Sequence, residues 1–173
     1  IFWIRMAEED FLQSICIPIT DDTRLRELRE DVSRMCRNDC PSFFPGSQPV
    51  SMDRENVKYL SKLKYCVCEK TDGVRYMLLI WKNRFYFIDR KFEFHVLKDV
   101  DLGAAGSFLE SLPYLDHINL NKATVLDGEL LLETKAEKPY LCYWVFDIAC
   151  VNDRNVSQHS LLNRLHMVRS FVI

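Results

Sequence analysis

Residues 68–78 read CEKTDGVRYML. Lys70, Asp72, Gly73 and Arg75 interrupt a run that otherwise has the composition of β-strand. On the far side, VRYMLLI (74–80) is apolar beyond Arg75 and rich in residues that suit a pleated, buried surface. Residues 64–70 and 74–81 are therefore predicted as strands around a turn at Thr71-Asp72-Gly73. The pattern continues downstream: KNR is a second turn, followed by strands at 85–90 (FYFIDR) and 92–97 (FEFHVL), an antiparallel meander. ATVLDGELLLET (123–134) and YLCYWVFDIACV (140–151) are two further strands, joined by the polar KAEKP and ended by the turn NDRN.

Helical spacing flanks this β-rich block. In 21–38, Leu25, Leu28, Val32 and Met35 recur on one face, with Asp21 or Asp22 available as the cap. The segment 41–50, PSFFPGSQPV, is a loop punctuated by prolines and glycine. A short helix is predicted over 51–63, capped by Ser51 and burying Val57, Leu60 and Leu63. Helices are also predicted over 101–115, ended by Pro113, and over 157–170, with Leu161, Leu165 and Val168 on one face. No repeat or linker divides the chain. The expected fold is one α+β domain on antiparallel sheet.

The 173 residues suffice for a single core, and a net charge of −2 gives no global basic field. A nucleic-acid partner would need a local groove. No apolar run approaches the ~18 residues of a membrane span, so no membrane partner is expected. The seven cysteines are odd in number and lack a C-x-x-C pair. They read as reduced thiols of an intracellular protein, and Cys36 and Cys40 have no His or Cys pair at zinc spacing nearby.

Four polar constellations carry the chemistry. Lys70 is either a solvated edge residue beside an Asp-Gly turn or a nucleophile. The second reading needs a deprotonated amine, which desolvation at a strand end and a nearby cation such as Arg75 would favour. Asp89-Arg90 follows an apolar strand, where an arginine suits phosphate or sugar, or forms a surface ion pair. Asp127 and Glu129 share a strand face and suit ribose hydroxyls or a hard cation, unless Asp127-Gly128 is a bulge. Asp147 lies in an apolar strand, where a carboxylate is costly unless it pairs or binds metal. Several strand-borne charges together are the usual form of a nucleotide-handling cleft.

In that order, Lys70-Thr71-Asp72-Gly73-Val74-Arg75, Ile88-Asp89-Arg90, Leu126-Asp127-Gly128-Glu129-Leu130 and Phe146-Asp147-Ile148 resemble the signatures of the covalent nucleotidyltransferases. That superfamily comprises mRNA capping guanylyltransferases, DNA ligases and RNA ligases. FFPGSQPVSMDRENVKYL (43–60), YMLLI (76–80) and YLCYWVFDIACVN (140–152) are similar to the capping branch. The resemblance covers about residues 22–170. It implies an antiparallel ligase-type (ATP-grasp-like) nucleotidyltransferase domain over residues 1–173. By the same likeness, Lys70 would attack the α-phosphate of GTP, expel pyrophosphate and hold GMP. The GMP would then pass to the 5′-diphosphate end of RNA.

The resemblance also implies roles for the neighbours. Asp72 would orient the lysine or its metal. Gly73 would turn the backbone beside the nucleotide, and Arg75 and Arg90 would contact phosphate and ribose. Glu129 would contact the ribose, Asp147 would take part in binding Mg²⁺ or Mn²⁺, and Phe94 would stack on guanine, with Phe92 the alternative. Further implied partners are the phosphorylated tail of RNA polymerase II and an RNA triphosphatase, fused or separate, in the nucleus. The family's lysine-rich final strand and oligonucleotide-binding lid do not appear before Ile173, so residues 1–173 alone are expected to be a poor enzyme. An ATP-dependent polynucleotide ligase and a non-catalytic scaffold of the same fold are the competing readings.

Overall fold

The computed structural model describes residues 12–13, 15–67, 70–98, 118–135 and 138–170. The chain forms β1 (Cys16–Pro18), α1 (Asp22–Cys36), a 3-10 turn (Val57–Tyr59), β2 (Val74–Trp81), β3 (Arg84–Ile88) and β4 (Phe94–Leu97). It continues through β5 (Thr124–Lys135), β6 (Lys138–Val151), β7 (Arg154–Asn155) and α2 (Leu161–Ser170). The strands make one seven-stranded sheet in the order β1-β4-β3-β2-β5-β6-β7, with every neighbouring pair antiparallel. This is the α+β, antiparallel-sheet architecture expected from the sequence.

Strand β2 explains the apolar run that identified it. It lies between β3 and β5, and alternation sends its side chains into two cores. Met77 and Leu79 join Tyr86, Ile88, Phe94 and Val125 beneath Leu28 and Val32 of α1. Tyr76, Leu78 and Ile80 face the opposite way, with Phe87, Leu126, Leu130 and Ile148. A strand buried on both faces needs apolar residues at consecutive positions.

Local chemistry sets the tight turns. Lys82 and Asn83 have φ of 52° and 58°, and Asn152 and Asp153 have 49° and 69°. Left-handed residues at both positions are what a two-residue hairpin requires to match strand twist. Helix α1 is capped by Asp21, whose Oδ1 accepts from the Arg24 amide at 2.7 Å.

Several expectations change. Residues 64–67 form no strand and are exposed, so Thr71-Asp72-Gly73 is a lead-in to β2 rather than a hairpin turn. The helix over 51–63 reduces to the 3-10 turn Val57–Tyr59. Its N-cap position is Asn56, which makes no side-chain cap hydrogen bond. In the loop before it Asp53 Oδ1 accepts from the Glu55 and Asn56 amides, and the Ser51 carbonyl accepts from the Asn56 side chain. Val57, Leu60 and Leu63 are all more than 40% exposed, so no buried face holds a helix there. Strand β3 ends at Ile88 because Asp89 accepts from the Lys91 and Glu93 amides and folds 89–93 into a turn. β4 therefore starts at Phe94, and β6 starts two residues early, at Lys138. Helix α2 starts at Leu161, which stays 38% exposed, and among its described side chains Met167 packs against the core. The predicted helix over 101–115 and the side chains of Leu165 and Val168 lie outside the described residues.

Candidate nucleotide site

The charged residues gather where β2, β5 and β6 run side by side. Val74 pairs with Leu130 and Arg75 with Glu129, which draws the 70–73 lead-in across β5. Thr71 Oγ1 donates to Glu129 Oε2. Gly73 makes this crossing possible: a Cβ at that position would lie 2.6 Å from the Leu130 carbonyl oxygen. The glycine serves close approach of one backbone to another.

Lys70 stands at the free end of the lead-in. Its side chain and that of Asp72 are each 85% exposed, with Nζ 3.3 Å from Asp72 Oδ1 and 3.4 Å from the Thr71 carbonyl. The desolvation expected of a strand-end lysine is not seen: Lys70 is exposed, and the described residues 64–67 form no strand. What the geometry supplies is an accessible amine beside a carboxylate.

Arg75, five residues on, is held rigidly. Its Nε donates to Asp127 Oδ1 at 2.9 Å and its Nη2 to Oδ2 at 2.6 Å, a bidentate fork. Its Nη1 donates to the Ser47 carbonyl at 2.7 Å. The guanidinium also lies 5.3 Å from the Phe44 ring centroid and 5.6 Å from that of Phe146. Burial pushes the Asp127 carboxyl up and outweighs the pull of Arg75. The Arg75 guanidinium is held above its ordinary value by its hydrogen bonds to Asp127. Arg75 thus binds the 43–50 loop to the sheet, and the phosphate contact expected of it competes with three hydrogen bonds inside the protein.

Asp147 faces Asp127 across β5 and β6. Both its oxygens are taken by Arg164 of α2, from Nε at 2.7 Å and Nη2 at 2.9 Å, and Oδ1 also accepts the Ile148 amide at 2.8 Å. A metal ion at Asp147 would have to share its oxygens with this guanidinium, which already supplies the carboxylate with a counter-charge. Asp72 and Glu129 are different: one oxygen of each is clear of hydrogen bonds among the described residues. A pocket of about 250 Å³ opens beside the two aspartates, between Gly46 and Ser47 on one wall and Ser157 and Arg164 on the other.

Arg90 is exposed, and its charge reaches Asp127. Phe94 is 1% exposed in the core under α1, packed against Phe92, which is equally buried, with ring centroids 5.5 Å apart. Arg29 covers Phe92 and donates to its carbonyl. Neither ring presents a face to a ligand in this conformation. At the same turn, Asp89, Glu93 and His95 bring ligand atoms within 4.8 Å of one another. Burial pushes the Asp89 carboxyl up, but hydrogen bonds from His95 and from the Glu93 and Lys91 amides outweigh it and leave it below its ordinary value.

The structure therefore brings Lys70, Asp72, Gly73, Arg75, Glu129 and Asp147 to one end of the sheet and leaves Phe94 in the core. Sequence reasoning missed Arg164, Phe44 and the Ser47 carbonyl. Nothing in NRLHMV marks Arg164 as the partner of a residue in β6.

The model of the mRNA capping enzyme catalytic domain matches residues 8–173, almost the whole chain. The chain belongs to that family. The mRNA-capping enzymes of Danio rerio and Mus musculus are 29% and 31% identical to it, each over 94% of this chain and 26% of their own length. The mRNA-capping enzyme subunit alpha of Schizosaccharomyces pombe is 35% identical over 64% of this chain and 28% of its own. The chain thus spans about a quarter of the length of these capping-enzyme relatives. Among the described residues no helix is long and apolar enough to cross a membrane.

Proposed function

We propose that this chain is the nucleotidyl-transfer domain of an mRNA guanylyltransferase, with Lys70 as the nucleophile. The observation that carries the reading is the pairing of an exposed Lys70 amine with Asp72 on a lead-in anchored five residues later by the buried Arg75–Asp127 fork. Family membership and the capping-enzyme names of the relatives support it.

The chemistry follows from the groups present. The lone pair of the neutral Lys70 amine attacks the α-phosphorus of GTP. The P–N bond forms as the bond to the β-phosphate oxygen breaks, and pyrophosphate leaves with the electron pair. The amine's proton passes to solvent, to which Lys70 is open, while Asp72 holds Nζ in place. Little covalent work falls to the protein, so positioning and charge neutralisation set the rate. Arg90, exposed and close enough for its charge to act on Asp127, is a cation free to meet phosphate. A divalent cation accompanying the nucleotide would be held by Asp72 and Glu129 and would neutralise phosphate charge. In the second half-reaction a 5′-diphosphate RNA end attacks the same phosphorus and frees the lysine. The same reading assigns the chain to the nucleus, with the phosphorylated polymerase tail and an RNA triphosphatase as partners.

Incubation with α-labelled GTP or ATP and Mg²⁺, followed by denaturing electrophoresis, tests it. Covalent label from GTP alone supports the guanylyltransferase. Label from ATP alone indicates a ligase, and label from neither, in a protein extended C-terminally to include any lid domain, indicates a scaffold.

A further inference from the structure

Asp127 and Asp147 stand opposite each other on adjacent strands, and the charge of Asp147 pushes the Asp127 carboxyl further up. Two facing carboxylates in a partly buried site need a counter-charge each. The structure supplies two guanidiniums, from opposite sides. Arg75 of β2 forks onto Asp127, and Arg164 of α2 forks onto Asp147. Each arginine also holds a backbone segment. Arg75 donates to the Ser47 carbonyl, and Arg164 donates to the carbonyls of Ser157 and His159.

We infer that Arg164, not a divalent cation, is the counter-charge of Asp147, and that the row Arg75–Asp127–Asp147–Arg164 is a positioning ladder fixing both walls of the pocket to its floor. Arg164 is then a positioning residue of the proposed nucleotide site. Three observations converge on it. Asp127, Asp147, Ser47, Ser157 and Arg164 all line the pocket. The Arg164–Asp147 side chains are only 18% and 22% exposed, so water screens the pair little. Both oxygens of Asp147 are already taken by strong charge-assisted bonds. The inference deepens the reading given above, since it concerns the cation chemistry of the same site, but its test requires no transfer activity.

Mn²⁺ serves as the probe, titrated alone into the full chain and followed by the relaxation of water protons. Thermal melts identify the variants that fold. Asp147→Asn should bind Mn²⁺ within about twofold of wild type. Arg164→Gln should bind it at least fivefold more tightly, because two facing carboxylates then share one guanidinium. The gain should vanish in Asp147→Asn/Arg164→Gln. Arg164→Lys, which keeps the charge, should show no gain, unlike a change that merely loosens α2. A fivefold or greater loss of Mn²⁺ affinity in Asp147→Asn would overturn the inference and make Asp147 a metal ligand. An Arg164→Gln protein that folds but gains nothing would also overturn it. If Arg164→Gln fails to fold, Asp147→Asn alone decides between ladder and ligand. The outcome is independent of whether Lys70 is ever guanylylated.

Discussion

Two ion pairs begin within the same six residues and are held in opposite ways. Arg75–Asp127 is a 2.6 Å contact between side chains 7% and 6% exposed, joining positions far apart in sequence. Lys70–Asp72 is a 3.3 Å contact between neighbours that are both 85% exposed. The buried pair fixes the frame, because removing one partner strands a charge in a low-dielectric site. The exposed pair contributes little to the fold and leaves the amine free to move. A group that must form and break a bond with a ligand suits the second environment, and the scaffold that aims it suits the first.

The sharpest way to break the locked end is Asp127→Ala. It leaves the Arg75 guanidinium buried without its carboxylate, a loss on the order of 3–5 kcal/mol. Denaturant unfolding should show a lower midpoint at unchanged slope. A midpoint near wild type would mean that Arg75 finds water or another partner.

Gly73→Ala probes the join between the two ends. The added Cβ would meet the Leu130 carbonyl oxygen and the Leu131 side chain, at 2.6 Å and 2.9 Å. The cost should be about 1–3 kcal/mol. The lead-in should lift off β5, so proteolysis near Lys70 should quicken by more than the global destabilisation explains.

Asp89 lies between the two extremes. Hydrogen bonds hold its folded carboxyl below the ordinary value. The unfolded chain therefore takes up the proton first, and this contribution is present above about pH 4 and lost as pH falls through the folded value. The gap in melting temperature between wild type and Asp89→Asn should be widest above that pH and close in acid. A gap that stays constant across the range would contradict the assignment. At the free end the effect should be smallest: Lys70→Arg and Asp72→Asn should leave the melting temperature unchanged.

What the sequence made legible follows the same division between local and distant. Helix α1 was readable because a 3.6-residue apolar period and an aspartate cap act within the segment. The hairpins at Lys82-Asn83 and Asn152-Asp153 were readable because turn chemistry is local. The apolar residues of 51–67 misled, because propensity makes a helix or strand only where a partner surface covers it, and here Val57, Leu63 and Val67 stay exposed. The site residues were visible as charges out of place, yet their mutual satisfaction was not. Arg75 meets Asp127 and Asp147 meets Arg164 only through tertiary contacts, so an arginine that suited phosphate and an aspartate that suited metal both prove to have protein partners. Phe94 shows the same gap: an aromatic after a turn reads equally as a stacking platform or as core.

The central claim is that the exposed, unlocked lysine is the one that carries the nucleotide. The protein, extended C-terminally to include any lid domain, is incubated with GTP and Mg²⁺, digested under conditions that preserve the P–N bond, and mapped by mass spectrometry beside Lys70→Arg, whose guanidinium stays protonated and cannot attack. The expected result is a GMP-modified peptide containing Lys70 in the wild type and no adduct in the variant. An adduct on any other residue, or one that survives in Lys70→Arg, would contradict the account.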